Sequence, residues 1–322
     1  MKAFYSDRYV LPLPGGHRFP MAKYRLLREQ VERAFADVVL SEPEPASFGQ
    51  LSLAHAPEYI ERVIDGRLDA TELRSIGFPW SEAMVERSRR SVGATIAACR
   101  AALCDGVAVN LAGGTHHAQS GRGAGYCVFN DAAIAARVMQ AEAANGRRVL
   151  RVAIVDLDVH QGDGTAQILQ GDPSVFTLSM HAASNFPFRK QASCLDVALP
   201  DGARDEAYLS ALVDALSQLR RCFDPQLIIY LAGADAHEGD RLGRLKLSAG
   251  GMRARDERVF EFAEGSGVPI AVAMGGGYGR EISTTVEVHF ATVESARKSW
   301  LRRKARTRAA NGAGAPGHQR KA

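Results

Sequence analysis

Residues 152–165 read VAIVDLDVHQGDGT, in which an apolar run ends in a cluster of acidic and histidine side chains. The apolar residues predict a buried β-strand, and Asp156, Asp158 and His160 follow where that strand ends. A buried carboxylate costs several kcal/mol of folding free energy unless a partner or a cation compensates its charge. This stretch therefore predicts a strand inside a buried sheet that brings charged groups to a site at one edge of the sheet.

Four further apolar runs have the same form, and each of them ends in Gly, Asp or His. They are VAVNLAGG (107–114), VFTLSMH (175–181), QLIIYLAGAD (226–235) and PIAVAMGGG (269–277). Helical patterns cover 19–34, 82–104, 130–146, 205–222 and 249–265. Alternating strands and helices are typical of a parallel sheet with helices on both faces. We therefore expect an α/β fold with an open, mainly parallel multi-stranded sheet, built as a single domain over residues 1–296.

The composition is that of an ordinary globular chain, with 46% hydrophobic and 24% charged residues among 322. No segment has the roughly 18 consecutive apolar residues of a membrane span, and the N-terminus lacks the basic flank and apolar stretch of a secretory signal. The five cysteines include no CxxC pair, which favours reduced thiols. These features predict a cytoplasmic protein without a membrane or a specific nucleic-acid partner, and they leave its oligomeric state open.

The C-terminal segment 297–322 differs in charge from the rest of the chain. It holds nine Lys and Arg residues and no acid, so subtracting these nine from the net charge of +4 leaves −5 for the rest. Its end, RAANGAGAPGHQRKA, is rich in Gly and Ala, which disfavours a packed structure. We expect the end of a helix that continues into a basic, disordered tail. Its simplest role is solubility, and loose contact with a polyanion is the alternative.

Polar residues cluster after four of the five predicted strands. The clusters are GGTHHA (113–118), DLDVHQGD (156–163), GADAHEGD (233–240) and GGGYG (275–279). In open α/β sheets, ligands bind in the crevice at the carboxyl ends of the strands. We therefore expect these four loops to converge on one functional site.

Asp158 and His160 are the strongest candidates for metal ligands. They are two residues apart, so in an extended segment their side chains point to the same side. Asp235 ends another predicted strand and supplies a third ligand. Two carboxylates and one imidazole suit a divalent transition metal, and three protein ligands leave a position open for water. Asp-x-His alone is common in solvated turns, so the prediction depends on all three residues.

The doublet of His116 and His117 provides two imidazoles for two further carboxylates, Asp156 and Asp163. A carboxylate behind an imidazole fixes the tautomer and the orientation of its ring. An exposed or capping pair is the simpler alternative, but the position of the doublet after an apolar strand favours a site. Tyr278 follows three glycines, which allow a tight turn, and its phenol can donate a hydrogen bond to an oxyanion. Otherwise it is a tyrosine packed on its own loop.

Taken together, the motifs resemble those of the zinc-dependent histone deacetylase family. In chain order they are GGTHHA, GYCVFND, DLDVHQGDGT, LSMH, AGADAHEGDRLGRLKLS and GGGY, between about residues 110 and 280. The fifth motif, with LPGGHRFPMAKY near the N-terminus, is most similar to the bacterial and class IV-like members. The resemblance covers about residues 4–296. It implies the arginase/deacetylase fold and a zinc-dependent amidohydrolase.

Matched position by position, the resemblance implies roles for each candidate side chain. By this match, zinc would be held by Asp158, His160 and Asp235. Tyr278 would stabilise the transition state. His117, with Asp163 behind it, would act as general base and then as general acid, and His116, paired with Asp156, would assist electrostatically.

The resemblance also implies a potassium ion and an acyl-lysine tunnel. The matching potassium ligands are the backbone around Asp156, Asp158 and His160, the Ser179 hydroxyl and the Met180 carbonyl oxygen. A second, weaker monovalent site would use carbonyls near Leu169, Asp172 and Val175. The matching tunnel walls are Gly125, Tyr126 and Phe188, although the loop HAASNFPFRK (181–190) leaves Phe186 as an alternative to Phe188.

The function implied is the removal of acetyl or longer acyl groups from lysine side chains of proteins or peptides. Small amides such as acetylpolyamines are the alternative substrates, but the chain lacks the insertions of the polyamine-specific relatives. A non-catalytic acyl-lysine binding module is a further alternative. A binuclear manganese ureohydrolase shares the fold but needs another carboxylate where this chain has Gly162.

Overall fold

The computed structural model describes residues 1–144, 146 and 149–313. The strands in this part of the chain are β1 (Lys2–Phe4), β2 (Val39–Ser41), β3 (Val107–Asn110), β4 (Val152–Asp156), β5 (Val175–Ala182), β6 (Leu195–Leu199), β7 (Leu227–Leu231) and β8 (Ile270–Ala273). The helices are α1 (Ala22–Ala34), α2 (Phe48–Leu51), α3 (Pro57–Ile64), α4 (Ala70–Ile76), α5 (Glu82–Asp105), α6 (Asp131–Ala144), α7 (Asp163–Leu169), α8 (Asp205–Cys222), α9 (Ala249–Gly265) and α10 (Ile282–Ala313).

All eight strands form one sheet in the order β2-β1-β3-β8-β7-β4-β5-β6. Every neighbouring pair is parallel. In the register of the central strands, Asp156 on β4 lies opposite Leu231 on β7 and Ser179 on β5. Because all strands run in the same direction, their carboxyl ends lie at one edge, and the loops that follow them are brought together there.

Strand β4 is buried on both faces of the sheet, which explains its continuous apolar sequence. Ala153 and Val155 belong to the core that includes α8, α9 and α10. Val152 and Ile154 belong to the core that includes α5 and α6. Helices therefore cover both faces, and the polar loops at the strand ends stand on a rigid base. None of the helices among the described residues is both long and apolar enough to span a bilayer.

The five strands predicted from sequence form the contiguous centre of the sheet, β3-β8-β7-β4-β5, and the predicted helices match α1, α5, α6, α8 and α9. The patterns do not predict β1, β2 and β6. Strands β1 and β2 have three residues each, too few for periodicity to show, and β6 is an edge strand with a mostly half-buried and exposed pattern. The prediction of an open parallel sheet with helices on both faces is confirmed.

Helix α10 extends to Ala313, so the first part of segment 297–322 forms the end of a helix. The basic residues there find acidic partners on a neighbouring helix. Arg302 Nε donates to Glu264 on α9 over 3.0 Å. Such long-range pairing stabilises a helix whose own sequence is rich in like charges. Residues 314–322, on which the rest of that prediction falls, lie outside the described residues.

His55, in the turn between α2 and α3, connects this part of the chain to the loop that precedes α6. Its Nδ1 lies 3.2 Å from the carbonyl oxygen of Ser120, and its Nε2 accepts a hydrogen bond from the Asn130 amide at 2.9 Å. Since Nε2 is an acceptor, Nδ1 carries the proton and the ring is neutral. Burial lowers the pKa of His55 to about 4.

We expect this histidine to make the protein less stable as the pH falls from 6.5 towards 4. The unfolded state binds a proton at the ordinary pKa of 6.5, whereas the folded state resists protonation down to a pKa of about 4. Over that range the unfolded state binds more protons, so the free energy of unfolding falls by about 3 kcal/mol through this residue. Urea unfolding at pH 7 and pH 4 measures the loss, which should be smaller in His55→Asn. An equal loss in both proteins would show that His55 does not titrate in this way.

Candidate metal centre and active site

The loops after β4 and β7, two neighbouring strands, bring Asp158, His160 and Asp235 together. One potential ligand atom from each lies within 4.8 Å of the others. His160 Nδ1 is 3.0 Å from Asp158 Oδ1 and 3.2 Å from Asp235 Oδ2. The three side chains are buried. The structure therefore assembles the cluster that the sequence predicts, and within the described residues it is the one cluster of this kind.

Backbone amides orient the two carboxylates of this cluster. Asp235 Oδ1 accepts from the Val159 amide at 3.0 Å, and Asp158 Oδ2 accepts from the Gly276 amide at 2.7 Å. The other oxygen of each carboxylate faces His160. Asp235 Oδ2 has no hydrogen-bond partner among the described residues although it is fully buried. A buried acceptor without a donor is costly, so this oxygen is available to a cation.

The electrostatics of the cluster also favour a bound cation. Burial and the nearby charge of Asp158 raise the pKa of Asp235 to about 7. Burial alone would lower the pKa of His160, but its hydrogen bond to Asp158 and the nearby carboxylate of Asp235 raise it to about 10. Without an ion, a proton on His160 thus balances part of the carboxylate charge. A divalent transition metal would replace that proton, and two oxygens and one nitrogen suit zinc.

Two histidines beside the cluster are each held by a carboxylate. His116 Nδ1 lies 2.6 Å from Asp156 Oδ2, and His117 Nδ1 lies 2.6 Å from Asp163 Oδ1. The two rings are 4.2 Å apart between centroids. The loop after β3 supplies the histidines, and β4 and the start of α7 supply the carboxylates. The structure therefore forms both His–Asp pairs that the sequence predicts, with each Nε2 left free to act elsewhere.

The two histidines differ in charge. Burial and the charge of His116 lower the pKa of His117 to about 4 in spite of its bond to Asp163. Burial also acts on His116, but Asp156 and Asp158 outweigh it and raise the pKa of His116 to about 9. At neutral pH, His117 is a neutral imidazole that can accept a proton, and His116 is a cation that opposes the carboxylate charge.

Tyr278 lies on the loop after β8 and is held by its backbone. Its amide donates to Asp240 Oδ2 at 2.6 Å, and its carbonyl oxygen accepts from Arg241 Nε at 3.0 Å. Burial and the charges of Asp235 and Asp158 raise the pKa of the Tyr278 phenol well above its ordinary value. The phenol therefore stays protonated and can donate a hydrogen bond.

Asp240 and Gly276 are site residues that the sequence analysis does not single out. Besides the Tyr278 amide, Asp240 accepts from the amides of Leu242 and Gly243 at 2.7 and 2.9 Å. It therefore joins the loop after β7 to the loop after β8. Their positions in the sequence could have pointed to them, since Asp240 ends the motif GADAHEGD and Gly276 lies in GGGYG.

A narrow cavity of about 150 Å³ opens onto these groups. Its lining residues come from the loops after β3, β4, β5, β7 and β8 and from segment 125–127. They are Gly114, His116, His117, Gly125, Tyr126, Cys127, Asp158, His160, Phe186, Leu242, Gly276 and Tyr278. At Gly125 the backbone φ of 55° is left-handed, and a Cβ there would lie 2.6 Å from His117 Cδ2. Glycine is thus required for the segment to approach His117.

Phe186 forms the wall that the sequence analysis assigns to Phe188. The Phe186 ring packs against His117 with centroids 4.8 Å apart, whereas Phe188 is 88% exposed and does not line the cavity. The cause is a turn after β5, in which Lys190 Nζ donates to the carbonyl oxygens of Asn185 and Pro187. The predicted tunnel walls Gly125 and Tyr126 do line the cavity.

The residues considered for potassium include Asp158 and His160 of the metal cluster and extend to the ends of β4 and β5. Ser179 is opposite Asp156 across β4 and β5, and its hydroxyl lies 3.0 Å from His181 Nδ1. Met180 is fully buried beside it. In the second candidate site, the carbonyl oxygens of Leu169 and Asp172 accept amide hydrogen bonds from Asp172 and Val175 at 3.3 and 3.2 Å in a turn.

Comparison with known proteins agrees with this geometry. The family model described as "Histone deacetylase domain" matches residues 17–293. An uncharacterised protein of Picosynechococcus sp. is 43% identical over 88% of this chain and 94% of its own length. Histone deacetylase 2 of Arabidopsis thaliana is 34% identical over 85% of this chain and 73% of its own. The crystal structure of a histone deacetylase homologue from Aquifex aeolicus has the same fold, with a TM-score of 0.77, 24% identity and coverage of 92% and 83% of the two chains.

We expect Gly276→Ala to weaken metal binding. A Cβ at this position would overlap Asp235 Oδ2 and lie 2.8 Å from Asp158 Oδ2, so both carboxylates would have to move. Displaced ligands should lower the zinc affinity about 10- to 100-fold, as measured by competition with a chromophoric chelator. Gly121→Ala is the matched control, because a Cβ there meets nothing within 4 Å. Unchanged zinc affinity in a folded Gly276→Ala protein would contradict this account of the cluster.

Proposed function

The chain belongs to the histone deacetylase family and is a hydrolase that acts on amide bonds, and we propose that it removes acyl groups from lysine side chains of proteins or peptides with the help of zinc. One observation carries the proposal. The Asp158, His160 and Asp235 cluster, the pair of His117 with Asp163, and Tyr278 surround one narrow cavity. These groups are a set of metal ligands, a proton acceptor and a hydrogen-bond donor, which amide hydrolysis requires.

Zinc fits the residues present. The free, buried Asp235 Oδ2 and the ligand atoms of Asp158 and His160 provide two oxygens and one nitrogen. When bound there, zinc would act as a Lewis acid towards the amide carbonyl and the attacking water. The backbone bonds from Val159 and Gly276 keep the carboxylates in place for it.

We assign proton transfer to His117. Asp163 holds Nδ1 over 2.6 Å, so Nε2 of the neutral ring is the acceptor that faces the cavity. Gln119 Nε2 donates to the other oxygen of Asp163 at 3.0 Å and fixes the carboxylate. His117 takes a proton from water as the new C–O bond forms, and it returns the proton to the amine nitrogen as the C–N bond breaks.

Tyr278 and His116 stabilise the charge that develops during this reaction. The protonated phenol of Tyr278 donates a hydrogen bond to the former carbonyl oxygen, which becomes negative on attack. His116, held by Asp156, keeps a positive charge beside His117. This charge lowers the pKa of His117, so that its ring is neutral before the attack, and it attracts the negative charge that forms on the former carbonyl oxygen. Both groups are rigidly held, so little reorganisation is needed during the reaction.

The shape of the cavity supports acyl-lysine as the substrate. Phe186 and Tyr126 provide aromatic walls, and Leu242 adds an aliphatic one. Gly125 keeps the passage open beside His117. Apolar walls around a narrow passage suit a linear methylene chain that carries an amide at its end, as in acylated lysine.

We also propose that a potassium ion binds near the zinc site, with the backbone around Asp156, Asp158 and His160, the Ser179 hydroxyl and the Met180 carbonyl oxygen as the candidate ligands. The buried position of Ser179 opposite Asp156 supports this assignment. A monovalent cation there would offset carboxylate charge that the protein otherwise leaves unbalanced.

Zinc-loaded protein should hydrolyse at least one of a series of lysine peptides that carry acetyl, butyryl, octanoyl or myristoyl groups, with an acetylpolyamine assayed in parallel. A chelator should abolish the turnover, and potassium chloride should support it better than choline chloride. Peptide hydrolysis identifies the substrate class, and the preferred acyl group reports the depth of the cavity. Turnover of the polyamine alone would transfer the assignment to small amides. Acyl-lysine binding without any turnover would indicate a binding module.

Tyr278→Phe should reduce kcat by a factor on the order of 100 to 1,000, because one hydrogen bond to the developing oxyanion is lost. Zinc content should be unchanged, since the Tyr278 hydroxyl is not part of the ligand cluster. Steady-state kinetics with parallel metal analysis checks both expectations. Tyr5→Phe, outside the cavity, is the matched control. Near-normal kcat in Tyr278→Phe would remove this residue from the mechanism.

A further inference from the structure

Four of the loops that supply residues to the cavity, and the loop of Phe19 that packs against Tyr126, carry five exposed arginines without a carboxylate partner among the described residues. They are Arg18, Arg122, Arg189, Arg241 and Arg280, which we call the arginine rim. Arginines elsewhere are often paired, as Arg28 is with Asp7 at 3.0 Å and Arg302 with Glu264 at 2.6 Å. The rim arginines therefore keep their charge available to a molecule that approaches the cavity.

Two rim arginines lie on the side of the cavity formed by Tyr278 and Leu242. Arg241 directly precedes Leu242, and its Nε donates to the Tyr278 carbonyl oxygen. Arg280 is two residues after Tyr278, and its amide donates to the Gly239 carbonyl oxygen at 3.1 Å. The side chain of Arg280 makes no hydrogen bond within the described part of the chain, so its guanidinium group is free.

Two more lie on the side formed by Phe186 and Gly125. Arg189 is three residues after Phe186, in the turn that Lys190 stabilises. Arg122 is three residues before Gly125, and its Nε donates to Gln119 Oε1 at 3.0 Å.

The fifth, Arg18, directly precedes Phe19, whose ring lies 5.2 Å from that of Tyr126. Since Tyr126 lines the cavity, this loop also belongs to its surroundings. Five separate loops thus each contribute one arginine.

Acidic residues on the same loops do not cancel this charge. Asp163 and Asp240 are buried and bonded to His117 and to backbone amides. Glu238 and Glu281 are the exposed acids of these loops. Five arginines against two glutamates leave a local excess of positive charge. This excess occurs on a protein that, without its last 26 residues, carries a net charge of −5.

We propose that the arginine rim selects acyl-lysine substrates in which acidic residues flank the acylated lysine. Acylation removes the charge of the lysine itself, so the flanking residues determine the charge that meets the rim. Guanidinium groups bind carboxylates with two parallel hydrogen bonds, and a local excess of positive charge also accelerates the encounter with an acidic peptide. Basic tails and acylated polyamines, which bring further positive charges, are repelled. This inference rests on the proposed function.

Three peptides with the same acyl-lysine and with acidic, neutral or basic neighbours test the selection. The kcat/KM should be highest for the acidic peptide and lowest for the basic one, with a ratio on the order of ten or more at low ionic strength. High salt should reduce the ratio, because exposed charges are screened. Turnover of the neutral peptide with equal kcat/KM for all three would overturn the selection and leave the proposed function in place. Turnover of none would overturn both.

Arg189→Gln combined with Arg280→Gln locates the selection on the rim. Neither side chain makes a hydrogen bond or an ion pair within the described residues, so this double variant removes charge without removing such an interaction. The acidic-to-basic ratio should fall about three- to fivefold. Arg33→Gln with Arg221→Gln, two exposed arginines away from the cavity, is the control with the same change of net charge. An equal fall in both double variants would assign the effect to net charge and overturn the role of the rim.

Discussion

Two carboxylates, Asp158 and Asp235, are buried side by side at the ends of neighbouring strands, and the structure around them compensates for their repulsion. Their like charges in a low-dielectric environment are tolerated because backbone amides hold one oxygen of each and because His160 lies between the other two. Small residues make the arrangement possible, since a Cβ at Gly233 would lie 2.7 Å from Asp158 Oδ2. A cation that completes this cluster is the same element that the chemistry of amide hydrolysis needs.

The compensation extends below and beside the cluster. Arg255, fully buried, donates to the carbonyl oxygens of Leu157 and Gly233 at 3.3 and 2.6 Å and so ties together the ends of β4 and β7. Beside the cluster, Asp156 and Asp158 raise the pKa of His116, and the positive charge of His116 in turn lowers the pKa of His117 and keeps that ring neutral. The protonation states that suit His117 to proton transfer therefore follow from the same buried charges.

The sign of the charged side chains differs between the metal cluster and the exposed loops around it. Aspartates are concentrated at the bottom of the cavity, where they are buried and bonded, whereas arginines stand exposed on the loops around its mouth. The bottom of the cavity determines the chemistry, because buried charges are strong and precisely oriented. In the selection that we propose, the arginines act on the approach of the substrate, since exposed charges act over a longer range and are screened by salt. The residues at the mouth can therefore differ between proteins of one fold while the residues at the bottom of the cavity stay the same.

The amino-acid sequence by itself determined the central five strands, the loops after them and the residues of the metal cluster and the two His–Asp pairs. These features are local: a strand buried on both faces is a continuous apolar run, and its functional residues follow directly in the chain. Only the tertiary structure decided that Phe186 rather than Phe188 faces the cavity. It also decided that helix α10 continues past residue 296, where its Arg297 pairs with the distant Asp37, and that Asp240 holds the Tyr278 loop. Each of these depends on a turn or on a contact between distant segments, which no local pattern records.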